Sequence, residues 1–354
     1  SVPRSLTIYE IRTTPACRQA GKTNTDTGFV AVTITVNFVM DIVFFGSDNF
    51  AVTPLKALLG SSDQVLCVVT QPDKQKGRGL ATAPTAVKSA AKSAGIEVYQ
   101  PADINSAEAI DFLKKFNADL FIVAAYGQIL SQDVLSLPRL FCLNIHASLL
   151  PKYRGASCIN RAIIDGERAS GVTIIKMAPR LDAGPVIAQK SIEIEPGDTS
   201  ISLEEKLSGL AVTLLLETLK AIKNDNYSLT PQDEAKVTFA PKLKKIDGLI
   251  DWKMPAERIH NLIRGCLGWP GAFTYYRGKS VKIFQAHPES SNRKCQAKPG
   301  EVLEAGSQGI VVAAGSGALV IEELQLEAKK RMSAADFLAG NKIVVGEILG
   351  PAEK

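Results

Sequence analysis

The run Leu143-Asn144-Ile145-His146-Ala147-Ser148-Leu149-Leu150-Pro151-Lys152-Tyr153-Arg154-Gly155 decides how this chain is read. It opens as a short apolar strand that carries an amide and an imidazole two residues apart. Residues i and i+2 of a strand share a face, so Asn144 and His146 emerge side by side. From Ser148 to Gly155 the chain passes a proline and a glycine, the mark of a loop at the strand's end. Open α/β sheets hold ligands at the carboxyl ends of their strands. This polar pair is therefore the candidate site.

Working outward, strand-like and helix-like patterns alternate from Met40 onward. Strands are expected at 42–45, 64–70, 96–99, 120–125, 143–146 and 172–177, with 186–194 as a hairpin partner of the last. Helices are expected at 50–59, 87–94, 107–116, from 159, and at 203–223. Such alternation predicts βαβ units, hence a doubly wound, mostly parallel α/β sheet over residues 40–225. Residues 226–246 are polar, contain Pro231 and Pro241, and end in the cluster Lys242-Leu243-Lys244-Lys245, so they read as a linker. Beyond it the texture changes. A helix at 256–264 and the turn Gly268-Trp269-Pro270-Gly271 precede short strands at 272–276, 280–285, 300–304, 309–313 and 319–326. Residues 247–354 thus predict a small antiparallel, OB-like β-barrel. Residues 1–39 are rich in Thr and Arg, with only Glu10 and Asp26 as acids. They read as an extension outside the fold, Met40 being the functional start; a transit peptide is the rival reading.

Composition bounds the rest. At 354 residues two domains are expected, and 45% apolar with 22% charged residues is the make-up of a globular protein. No apolar run reaches membrane-spanning length. The six cysteines are scattered without a C-x-x-C pair, which points to reduced thiols, a cytoplasmic setting and no zinc site. The net charge of +5 is confined to residues 240–354, which hold 17 Lys/Arg against 12 Asp/Glu, a balance compatible with a polyanionic partner. The turn Gly46-Ser47-Asp48-Asn49-Phe50 lacks G-x-G-x-x-G, which argues against a nicotinamide cofactor.

Asp182, in the glycine-containing loop Arg180-Leu181-Asp182-Ala183-Gly184, completes the constellation. In a parallel sheet that loop returns to the edge where His146 lies. A carboxylate beside an imidazole raises its basicity and fixes its orientation. A neighbouring amide can donate to an oxygen that turns negative in a tetrahedral intermediate. Together the three suit acyl-type transfer to an amine. The plainer readings are a structural histidine and an aspartate capping its own turn; His260 and His287 read as structural and Cys158 as core packing. The 71–86 connection is long for a βα loop. Its Lys74, Lys76 and Arg78 supply phosphate-seeking charge, and Gly77 and Gly79 let the backbone approach closely; a solvated loop is the alternative.

The segment from Asn144 to Ala156, with Gly171-Val172-Thr173-Ile174 and Leu181-Asp182-Ala183-Gly184, resembles the folate-dependent formyltransferase family. The resemblance implies Asn144, His146 and Asp182 as catalytic residues. It implies 10-formyltetrahydrofolate as formyl donor, contacted by Ser148, Leu149, Leu150, Pro151, Tyr126 and Gly127, with no metal. Thr70 to Gly79, Ala124 to Gly127 and Gly268 to Gly271 are similar to the branch that formylates the α-amine of methionine on initiator tRNA. That similarity implies Lys74, Lys76 and Arg78 as tRNA contacts and a C-terminal barrel lending nonspecific RNA affinity. A monomer without membrane attachment is expected. Two departures stand out: Leu80 and Ala81 follow Gly77-Arg78-Gly79 where lysines are common, and Gly-Ser-Asp replaces Gly-Thr-Pro in the first turn. The rivals are a sugar-nucleotide N-formyltransferase, a formyl-folate hydrolase, and a non-catalytic RNA-binding protein.

Overall fold

Strands that read as unbroken apolar runs are buried on both faces, and β1 (Asp41–Gly46) shows why. Ile42 and Phe44 enter one core, Val43 and Phe45 the other. The computed structural model describes residues 38–76, 81–289 and 297–350; the expected extension, up to residue 37, and Arg78 lie outside them. After β1 come α1 (Asn49–Leu59), β2 (Gln64–Val69), the hairpin strands β3 (Lys74–Lys76) and β4 (Ala81–Ala83), α2 (Ala86–Ser93), β5 (Val98–Tyr99), α3 (Ala107–Lys114) and β6 (Leu120–Ala124). Then follow α4 (Gln132–Leu135), β7 (Phe141–His146), α5 (Cys158–Ile164), β8 (Ala169–Lys176), β9 (Val186–Glu193) and the long α6 (Ser200–Lys223).

These strands form one sheet in the order β5-β2-β1-β6-β7-β8-β9. The first five are parallel; β8 and β9 are antiparallel to their neighbours. On one face Phe44, Leu143 and Ile145 pack with Leu55 and Leu58 of α1 and Leu203, Leu207 and Leu215 of α6. On the other, Phe45, Phe121 and Val123 pack with Ala109 and Leu113 of α3. Each fully buried Leu, Ile or Phe contributes roughly 1.5–3 kcal/mol. The sheet is thus doubly wound and mostly parallel, as the alternating pattern predicted. The route to Asp182 is different from the expected one. Because β8 is antiparallel, with Lys176 opposite Leu143, its end does not lie at the parallel strands' carboxyl edge. The β8–β9 loop instead folds back to β7. The 71–86 connection also departs from a plain loop, since β3 and β4 pair within it.

The segment expected as a linker carries its own bonds. Thr230 pairs with Val186, and Thr238 and Ala240 bond to the backbone of Arg154, so the chain is strapped along the 153–155 loop. Beyond it lie α7 (Ala256–Gly265), β10 (Ala272–Tyr276), β11 (Lys279–Pro288), β12 (Val302–Gly306), β13 (Gly309–Ala313), β14 (Ala318–Leu326), β15 (Met332–Ser333) and α8 (Ala334–Gly340). The antiparallel sheet runs β10-β11-β14-β13-β12, with β15 on β14. Its outer strands are bridged by the chain end: Leu349 N–H donates to Gly300 C=O and Gly350 N–H to Tyr275 C=O. His260 holds the Ala286 carbonyl (2.8 Å), tying α7 to β11. The two halves meet through α5 and α7, where Asn160 Nδ2 donates to Gly265 C=O (2.8 Å). Cys67, Cys142, Cys158 and Cys266 are unpaired and buried.

One glycine fixes the fold-back. A Cβ on Gly184 would collide with the carbonyl oxygen of Lys176, a backbone atom that side-chain motion cannot clear. We expect Gly184→Ala to lower stability by about 1–3 kcal/mol, the usual cost of overpacking. Chemical denaturation checks this; an unchanged midpoint would contradict the loop geometry.

Candidate active site

The site is built on β7, whose alternation sets Asn144 and His146 on one face. Asp182 reaches them from the β8–β9 loop, held at φ +48°, a left-handed conformation that Asp tolerates better than most residues. Asn144 Nδ2 donates to Asp182 Oδ1 (3.0 Å) and the Gly155 backbone N–H donates to Oδ2 (2.8 Å). His146 Nδ1 lies 3.6 Å from Oδ2, an ion-pair separation too long for a hydrogen bond. Its Nε2 donates to the Tyr153 carbonyl (2.9 Å). The His146 and Asp182 side chains are only 7% and 10% exposed, and Asn144 is half-buried.

Opposing influences act on His146. Burial, the largest, pulls its pKa down; the charges of Cys158 and Asp182, with hydrogen bonds to Cys158 and the Tyr153 carbonyl, outweigh it and hold the imidazole up at about 9. That direction favours the protonated ring beside Asp182. Cys158, the first residue of α5, belongs to this surround as well as to the core.

The 148–155 loop is held from below by Thr173 of β8. Its hydroxyl donates to the Ser148 carbonyl (2.6 Å) and accepts from the Leu150 N–H (3.1 Å). Ser148 Oγ donates to the Lys152 carbonyl (2.7 Å), so this hydroxyl is spent within the loop. Leu150 is buried; Leu149 and Pro151 are half-buried. Tyr126 and Gly127 follow β6 at the neighbouring position on the edge. The Tyr126 ring points into the core, edge-on to Phe45 at 5.5 Å, its hydroxyl buried without a hydrogen bond and its pKa raised by that burial. The residue is 2% exposed overall, and its carbonyl accepts from Ser47 Oγ (2.9 Å). Gly127 has φ +89°, and a Cβ there would collide with the Gln71 amide. Lys74 and Lys76 lie on the hairpin after β2, at the same sheet edge. Among the described residues no cluster of three His, Cys, Asp or Glu is placed to hold a metal ion.

Several groups that build the site were not foreseen. Arg154 is 1% exposed, and its guanidinium donates to Gln232 Oε1 through Nε (3.1 Å) and Nη2 (2.9 Å) and to Glu234 (2.9 Å). Gln232 lies 78 residues along the chain, and no local pattern marks it. Cavities of about 210 and 440 Å³ lie elsewhere, one lined by Ile201, Lys282 and Arg331, the other by Leu214 and Tyr227; neither borders Asn144.

The mostly parallel sheet ends in an antiparallel hairpin, and an amide, an imidazole and a carboxylate converge at the end of β7, groups able to hold an oxyanion and to manage a proton. The chain matches the Formyl transferase family over residues 40–219 and the Formyl transferase, C-terminal domain over residues 242–342, and it belongs to that family. Its relatives include the Methionyl-tRNA formyltransferase of Geobacter metallireducens, 44% identical over 88% of this chain and 99% of the relative. That of Moorella thermoacetica is 42% identical with the same coverage. Among solved structures, the N-formyltransferase from Helicobacter canadensis in complex with folinic acid and dTDP-3-aminofucose superposes with a TM-score of 0.60 at 20% identity, over 80% of this chain and 99% of that one. HypX from Aquifex aeolicus with tetrahydrofolic acid gives 0.57 at 22% identity, over 89% and 50%. These two share the fold.

The His146 environment gives a pH dependence. A pKa raised from 6.5 to about 9 means that the ring's stabilisation is complete below pH 6.5 and is lost as pH rises through about 9. We expect the melting temperature of the protein to fall over that window, and the fall to shrink in His146→Gln. Identical profiles for the two would contradict the assignment.

Proposed function

We propose that this chain transfers the formyl group of 10-formyltetrahydrofolate to the α-amino group of methionine on initiator tRNA, for translation initiation. The observation that carries the reading is the match of both halves, end to end, to relatives named Methionyl-tRNA formyltransferase at 40–44% identity. In the reaction the amine forms a C–N bond to the formyl carbon, the bond from that carbon to the folate nitrogen breaks, and the proton the amine gives up ends on that nitrogen, so that tetrahydrofolate leaves. Asn144 has a second amide N–H beyond the one given to Asp182, and this N–H is suited to the formyl oxygen as it turns negative. Protonated His146 places a positive charge beside that oxygen, and Asp182 orients both groups.

The folate site is assigned to the 148–151 loop and the Tyr126-Gly127 turn that follows β6 at the neighbouring position. Half-buried Leu149 and exposed Ile129, on loops that leave the same sheet edge, offer apolar surface for a flat ligand. Lys74 and Lys76 are assigned to the tRNA acceptor stem because β3 follows β2 at that edge, and Arg78, outside the described residues, is assigned with them for its charge. The basic excess of residues 240–354 adds sequence-independent RNA affinity. We assign residues 40–225 as the catalytic domain and 247–354 as the RNA-binding domain of a cytoplasmic monomer. Among the described residues no helix is long and apolar enough to cross a membrane.

The test is a transfer assay on the full chain with 10-formyltetrahydrofolate and charged initiator Met-tRNA, beside elongator Met-tRNA and a reaction without acceptor. Formylation of the initiator alone is expected. Asn144→Ala, His146→Ala and Asp182→Ala should each fall by about 10²-fold or more in kcat while remaining folded. Folate release without transfer would contradict the reading, and any variant at full turnover would remove that residue from its role.

A further inference from the structure

Asp182 is held at both ends. Its carboxylate accepts from Asn144 and the Gly155 N–H, as described, while its backbone is gripped by a side chain from outside the sheet. Gln232 Nε2 donates to the Asp182 carbonyl (2.7 Å) and to the Gly184 carbonyl (2.8 Å). The same amide's oxygen accepts two bonds from Arg154. An amide has two donors and two lone pairs, so every hydrogen-bonding position of Gln232 is filled. Arg154 in turn sits between Tyr153, whose carbonyl holds His146, and Gly155, whose N–H holds Asp182. One side chain thus joins the loop that carries Asp182 to the loop that seats His146.

We propose that Gln232 is a positioning residue for the transfer reaction: it fixes the 182–184 backbone against Arg154 so that the Asp182 carboxylate stands between Asn144 and His146. The inference rests on the function proposed above. Gln232 belongs to the strap between the two halves, so the alignment of Asp182 depends on that strap being docked. Asp182 needs such support because its left-handed backbone and the close crossing of Gly184 over Lys176 are not favoured by the loop itself. Misplacing a reacting constellation by about 1 Å can cost about 10²-fold in rate.

The decisive variant is Gln232→Glu, in the full chain. A carboxylate still accepts from Arg154, so the buried guanidinium keeps its partner, but it cannot donate to the two carbonyls. Gln232→Ala removes both. The measurements are kcat and KM for each substrate, the kcat–pH profile, and an NMR titration of the His146 ring. The titratable groups facing that ring are Asp182 from the β8–β9 loop and Cys158 from α5. We expect both variants to lose about 10–100-fold in kcat with each KM within about twofold. His146 should titrate at lower pH in both, and the basic limb of the kcat profile should move down with it. Gln232→Glu with wild-type kcat, a change in KM alone, or an unmoved His146 titration would overturn the inference. Should Gln232→Ala not fold, Gln232→Glu decides alone. If the wild-type chain transfers no formyl group, the proposed function fails, and the His146 titration still tests the positioning.

Discussion

The site depends on one carboxylate being received by the right donors. Asp182 arrives on a loop whose backbone is left-handed and whose close crossing admits only glycine at 184. It is fixed by the Asn144 amide and the Gly155 N–H. The two donors and the acceptor come from three parts of the chain: the middle of β7, the turn after it, and the β8–β9 loop. None is strong alone, since a hydrogen bond to a charged group contributes about 1.5–3 kcal/mol. Removing either donor would leave a nearly buried charge under-solvated, so the arrangement holds together or fails together. The 148–155 loop, the 177–185 loop and the strap are accordingly bonded to one another through Arg154, Gly155, Asp182 and Gln232.

The same carboxylate gives His146 its character. Burial alone would push the ring toward neutrality, yet Cys158, Asp182 and the Tyr153 carbonyl together hold its pKa above the ordinary value. In the proposed reaction, with both ring nitrogens engaged inside the protein, the contribution of His146 is its charge and that of Asn144 is its second N–H. A formyl oxygen gaining negative charge there would meet a fixed dipole and a fixed cation, which need no reorganisation at that moment.

Much of this was readable in the sequence for physical reasons. Apolar runs buried on both faces announce a doubly wound sheet, and β1, β6 and β7 obey that rule. The i, i+2 spacing placed Asn144 and His146 on one face. The path to Asp182 was misread because strand direction leaves no trace in composition: β8 reads alike whether parallel or antiparallel. The 226–246 segment was read as a linker from its prolines and lysines, which say nothing of the long-range bonds made by Gln232, Thr238 and Ala240. The β3–β4 pairing is too short for periodicity to show. The helix Ala334–Gly340 carried a readable cap, Ser333 accepting from Asp336 N–H, but one short turn among strands did not stand out. Cys158 was read as packing and is that, yet it also faces His146, a contact that only the folded chain creates.

We infer that Asp182, together with Cys158, keeps His146 protonated at neutral pH. An NMR titration of the His146 ring in the wild-type protein and in Asp182→Asn separates the carboxylate's share. The wild-type ring should lose its proton near pH 9 and the variant ring at distinctly lower pH. A wild-type ring already neutral at pH 7, or one indifferent to the loss of the Asp182 charge, would contradict it.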